Sequence, residues 1–132
     1  MSSLTVFDIG GTHVRWAQWS PQRGRSLAEA RMAAAGLPVP PVVVSADDVT
    51  AGKPSPEGYL TAAQRLGVAP HRAVVFEDAE AGLLAARACG ARTVVVGRCA
   101  APVTSGLDRV ADLRQVRVEP TPGGGLRLTY PT

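Results

Sequence analysis

From Ser26 onward the chain alternates between two hydrophobic periods. Ser26 and Glu29 stand at capping-box spacing, Leu27, Ala30, Ala34 and Ala35 follow at helical intervals, and Gly36 and Pro38 end the pattern, so a helix is expected here. The β-branched run PVVVS at 41–45 then predicts a short buried strand. A second unit begins at PSPEGYLTAAQRLG, where Ser55 is placed to cap, Pro56 suits the first helical turn and Gly67 closes the helix; strand AVVFE at 73–77 follows directly. The third unit is helix AEAGLLAARACG, closed by Gly90, and strand TVVVG at 93–97. Repetition of strand, crossover helix and strand implies a parallel sheet covered on both faces.

Beyond Gly97 the pattern weakens. A short helix is expected around 106–116, and VRVEP and LRLTY, flanking TPGGG, are expected to pair as a hairpin. Ligands of sheets of this kind gather at the carboxyl ends of the strands. That rule draws attention to 45–53 and to Glu77 and Asp78.

Composition narrows the classes. At 132 residues, with 45% hydrophobic and 19% charged positions, the chain has the size and balance of one soluble globular domain. No apolar run reaches the roughly 18–20 residues of a membrane span, and the first twenty residues lack the regions of a signal peptide, so no membrane role and a cytoplasmic location are expected. The net charge of +3 comes from scattered arginines with few aromatics, which gives nucleic-acid binding no support. Cys89 and Cys99 show no metal-ligand spacing and are expected to be reduced bystanders.

Thirteen of the fourteen basic residues are Arg, and the one Lys is Lys53. It sits between Gly52 and Pro54 in a loop opening at the edge that Glu77 and Asp78 also reach. A lysine there is placed to neutralise a phosphoryl group and a neighbouring carboxylate; the plainer alternative is an exposed surface lysine. Glu77 and Asp78, two acids ending a buried strand, suit a hard cation such as Mg2+; alternatively Asp78 only caps the helix that follows.

The span ADDVTAGKPSPEGYLTAAQRLGVAPHRAVVFEDAEAGLLAARACGARTVVVG, with its GKPxPxxY and VFEDxxxG patterns, resembles the haloacid dehalogenase-like phosphohydrolases, especially the small sugar-phosphate phosphatases and phosphomutases, over about 26–118. The resemblance implies an α/β, Rossmann-like three-layer sandwich with a mostly parallel sheet, and Mg2+-dependent hydrolysis of a small phosphorylated metabolite through an aspartyl-phosphate. It implies Lys53 as the phosphate-stabilising lysine and Glu77 and Asp78 as the metal-side acids. Asp8 of VFDIGGT falls at the position of the nucleophile and metal ligand, with Gly11 and Thr12 matching the phosphate-binding end of that motif, but Gly10 occupies the place of the second, acid/base aspartate. Loss of that proton transfer typically costs about 10²- to 10⁴-fold in rate, so impaired turnover is expected.

FDIGGTHVRWAQW is also similar to the first phosphate-binding hairpin of the glucokinase-like sugar kinases, over about 4–24; as plain geometry it is a strand and a Gly-Gly turn, with Trp16 and Trp19 packing the hairpin. The expected organisation is therefore an N-terminal strand and phosphate-loop-like segment at 1–25, then a phosphohydrolase core at 26–132, as a fusion, deletion or frame error would produce. Only about a dozen residues stand where the phosphohydrolases insert a cap domain, so the cap is expected to be absent. The phosphate-binding Ser or Thr of the second strand is matched by Ser20, with Ser45 ending the next strand instead. A non-catalytic phosphate-binding remnant is the alternative function.

Overall fold

The computed structural model describes residues 5–8, 16–19, 42–111, 113–120 and 126–131. The helix expected after Ser26 lies outside the described residues.

Strands β1 (Thr5–Asp8), β2 (Trp16–Trp19), β3 (Val42–Val44), β4 (Ala73–Glu77), β5 (Arg92–Val96) and β6 (Asp108–Val110) form one sheet in the order β3-β2-β1-β4-β5-β6. β2 pairs with β3, β4 with β5 and β5 with β6 in parallel, whereas β1 is antiparallel to both of its neighbours. Five strands therefore share one direction and β1 opposes them. The reversal has a simple cause: residues 9–15 alone join β1 to β2, too short for the crossover of a dozen or more residues that parallel neighbours need.

Helices α1 (Glu57–Leu66) and α2 (Glu80–Cys89) supply the crossovers. Pro56 precedes α1 with helical dihedrals, and the Ser55 hydroxyl accepts the Glu57 N–H at 3.2 Å. Both helices end on a glycine in the left-handed region, Gly67 at φ 71° and Gly90 at φ 86°, where other residues are strained.

Period-2 alternation sorts β4 between two cores. Ala73 and Val75 pack under the helices with Val44, Tyr59, Ala62, Leu66, Ala85 and Ala86. Val74 and Phe76 face the other way, with Val94, Val110, Val116 and Tyr130. Glu77, in step with Ala73 and Val75, is thereby directed to the helix side.

The helix expected at 106–116 is absent. In its place stand β6 and a 3-10 turn at Leu113–Gln115. Val110 is the reason: it completes the second core at 2% exposure, which edge pairing of β6 with β5 achieves with three residues. The C-terminal hairpin forms as expected, β7 (Arg117–Pro120) antiparallel to β8 (Leu126–Thr129), as a separate two-stranded sheet.

Candidate functional site

The inward stripe of α1, Tyr59, Ala62, Ala63 and Leu66, follows the i, i+3, i+4, i+7 spacing and places the Tyr59 ring against the end of β4. There it meets Glu77, whose side chain is fully buried. The Glu77 carboxylate accepts four hydrogen bonds. Oε2 takes one from the Tyr59 hydroxyl at 2.6 Å and one from Lys53 Nζ at 3.1 Å; Oε1 takes the backbone N–H groups of Asp78 and Ala79 at 3.1 and 3.3 Å. Two carboxylate oxygens offer about four acceptor positions, so this set saturates Glu77. Lys53, only 9% exposed, also lies over the Tyr59 ring, 5.6 Å from its centroid.

Charge and burial act in opposition here. Burial works to raise the Glu77 pKa, but the Lys53 charge and the hydrogen bonds from Tyr59, Asp78 and Lys53 outweigh it and hold the carboxyl below its ordinary value. Burial, followed by the adjacent carboxylate, drives the Tyr59 phenol far above its ordinary range, so it remains a donor. Lys53 is thus no surface lysine. It belongs to a buried, hydrogen-bonded ion pair at the carboxyl end of β4.

Asp78 is exposed at the same strand end. It does not cap α2, whose N-terminal flank at Ala79 has no side-chain cap. Partial desolvation first, then its hydrogen bond and charge contact with Glu77, raise its pKa. A folded-state pKa above the unfolded one means a contribution to stability that is full below the unfolded value, 3.8, and lost as pH rises through the folded value. Asp78→Asn is therefore expected to melt above wild type at pH 7 in metal-free buffer, with the gap closing below about pH 4; a mutant that melts lower at pH 7 would contradict the arrangement.

Gly82, in the first turn of α2, completes the enclosure. A Cβ added there would fall on the Glu77 carboxylate itself, so only glycine lets the helix lie across that group. Neither Tyr59 nor Gly82 was among the site residues expected from sequence. Both stand at the fixed ends of the GKPxPxxY and VFEDxxxG patterns, and a Tyr on an otherwise small and aliphatic inward stripe signals a buried polar partner.

The structure does not bring Asp8 to this site. β1 pairs Asp8 with Ala73 and Thr5 with Phe76, which puts Asp8 at the opposite end of β4 from Glu77, four register positions or roughly 13 Å along the strand. β1 runs antiparallel to β4, so its carboxyl end, which carries Asp8, lies away from the carboxyl end of β4. Gly10, Gly11, Thr12 and Ser20 lie outside the described residues. Ser45 is occupied locally: its N–H and hydroxyl donate to Asp48 Oδ2 at 2.7 and 3.2 Å. Among the described residues no cluster of three or more His, Cys, Asp or Glu side chains is positioned to hold a metal, and no helix is long and apolar enough to cross a membrane.

The chain is similar to known proteins in sequence and in fold. The family model for haloacid dehalogenase-like hydrolases matches residues 24–90. Hexitol phosphatase A of Escherichia coli is 44% identical over 100 residues, 74% of this chain and 46% of that protein. Validoxylamine A 7'-phosphate phosphatase of Streptomyces hygroscopicus subsp. limoneus is 51% identical over 67 residues, 50% of this chain and 32% of its own length. The chain spans less than half the length of these relatives. In fold, it is similar to a HAD-superfamily hydrolase, subfamily IA, from Geobacter sulfurreducens, with a TM-score of 0.57 at 22% identity over 72% of this chain and 42% of the other. With a Rossmann-like α/β sheet, a buried lysine–glutamate pair at its carboxyl edge and a family match over half its length, the chain belongs to the haloacid dehalogenase-like hydrolases.

Proposed function

We propose that this chain holds the phosphoryl group of a small phosphorylated metabolite, of the sugar-phosphate type, at the carboxyl edge of β4, with Mg2+, and that hydrolysis there is impaired. The observation that carries the reading is the buried Lys53–Glu77 pair with Asp78 beside it. The phosphatase names of its relatives support the substrate class.

Each group has a part in this reading. Lys53 meets the phosphoryl oxygens with a charge already aimed by Glu77 and Tyr59, so little reorganisation is needed when a phosphate arrives. Asp78 offers the exposed carboxylate oxygens that a hard cation takes. Glu77, with all four acceptor positions filled by protein donors, serves the lysine and the turn and leaves the cation side to Asp78. Magnesium, when bound, supplies charge neutralisation at the phosphoryl oxygens. The position of Asp8 at the far end of β4 favours a second reading, phosphate binding without turnover.

The test is phosphate release from a panel of sugar phosphates, with Mg2+ or with chelator, alongside calorimetric binding of inorganic phosphate. Wild type is expected to bind phosphate more tightly with Mg2+, and Lys53→Ala to weaken that binding by about tenfold or more, the scale of a lost charge-assisted hydrogen bond. Slow Mg2+-dependent release supports the impaired phosphatase, and binding without release supports the second reading. Binding that ignores both Mg2+ and Lys53→Ala overturns both.

A further inference from the structure

Lys53 reaches Glu77 from a loop, and the loop has its own fastening. Glu57, the first residue of α1, turns its carboxylate back along the chain toward residues 50–51. Oε1 accepts the Thr50 N–H at 2.9 Å and the Thr50 hydroxyl at 3.1 Å; Oε2 accepts the Ala51 N–H at 2.9 Å and the same hydroxyl at 3.0 Å. Within the segment so closed, the Ser55 N–H donates to the Gly52 carbonyl at 3.0 Å, and Lys53 lies between these fastenings. A Cβ at Gly52 would meet nothing within 4 Å, so side-chain packing does not fix this stretch from that side.

We infer that Glu57 is a positioning residue for Lys53: its carboxylate clamps residues 50–51 and thereby sets where the Lys53 ammonium stands at the Glu77 carboxylate. The assignment of a phosphate to Lys53 rests on the proposed function; the clamp does not. A residue that only stabilised the fold would be expected at any convenient surface. This one instead ties the entry of the lysine loop to the helix that carries Tyr59, so both Oε2 donors of Glu77 are placed relative to one element. Glu57 touches neither Lys53 nor Glu77 in these bonds, and its effect is transmitted through the backbone.

The chain's one lysine makes the test direct. Acetylation of Lys53 in the folded protein is followed by mass spectrometry, with alkylation of the partly buried Cys89 as the reporter of general opening. Opening of a local segment exposes the groups it holds without exposing the rest. Glu57→Ala is expected to speed Lys53 acetylation by about threefold or more while Cys89 reactivity keeps its wild-type rate, and Glu57→Gln, which retains an acceptor oxygen, to restore most of the protection. Unchanged Lys53 reactivity in a folded Glu57→Ala protein overturns the inference, as does a parallel rise at Lys53 and Cys89. If Glu57→Ala destabilises the fold, Thr50→Pro removes one N–H and the hydroxyl from the other side of the clamp, and the same selective rise at Lys53 is required. Inorganic phosphate binding, measured in parallel, separates the two readings: selective release of Lys53 in a protein that binds no phosphate leaves the clamp standing and removes the phosphate site.

Discussion

Lys53→Met is expected to destabilise the fold by about 3 kcal/mol at pH 8, the scale for removing one partner of a buried ion pair. The substitution preserves much of the side-chain volume and removes the charge. Glu77 then keeps the Tyr59 hydroxyl and two backbone N–H groups but carries an uncompensated negative charge at 0% exposure. Burial, which in the wild type is outweighed by the Lys53 charge together with the hydrogen bonds, is expected to become the dominant influence on its titration.

The pH dependence gives the prediction a sign. In the wild type the lowered Glu77 pKa contributes stability that is present above the unfolded value, 4.5, and is lost as pH falls through the folded value. In Lys53→Met the carboxyl is raised, so its contribution is fullest below 4.5 and is lost as pH rises through the new folded value. The mutant's deficit in urea unfolding should therefore grow between pH 5 and pH 8 and shrink at the acid end. A deficit constant over that interval would mean that Glu77 is not charged and buried as described.

Much of this site is legible in the chain because it follows from short periods. AVVFE alternates, and counting by two from Ala73 sends Glu77 to the same face as Val75, under the helices. GKP places the lone lysine in a loop at the edge that strand reaches, and the glycines that close both crossover helices stand where the left-handed region is needed. The four-donor saturation of Glu77 is less legible. It depends on how close α1 and α2 come to the strand end, a distance set by Tyr59 and Gly82 together.

One other expectation, the helix at 106–116, failed for an identifiable reason. Around 106–116 there is no sustained alternation, and β6 exists because Val110 has a core to enter and β5 has a free edge beside it, both tertiary facts. At the N-terminus the motif resemblance of Asp8 concerns residue types, whereas its position depends on strand direction. Seven residues between β1 and β2 decide that direction.

Gly82→Ala is expected to lower stability by about 2–3 kcal/mol, against the sign that helix propensity alone predicts. In the middle of an ordinary helix the same change stabilises by up to about 1 kcal/mol. Here the added methyl falls on the Glu77 carboxylate, and neither side yields cheaply: α2 is seated on β4 and β5, and the carboxylate is held by four donors. Overpacking of a filled interior costs about 1–3 kcal/mol, and displacing a buried charge from its donors adds to that. The effect should vanish where the obstacle is removed. In a Glu77→Ala background, with Lys53→Met added so that no lone buried ammonium remains, Gly82→Ala should become neutral or stabilising. That reversal, measured by urea unfolding of the four proteins of the cycle, isolates the contact between position 82 and the carboxylate. The same loss in both backgrounds would show that glycine is required there for a reason other than room for Glu77.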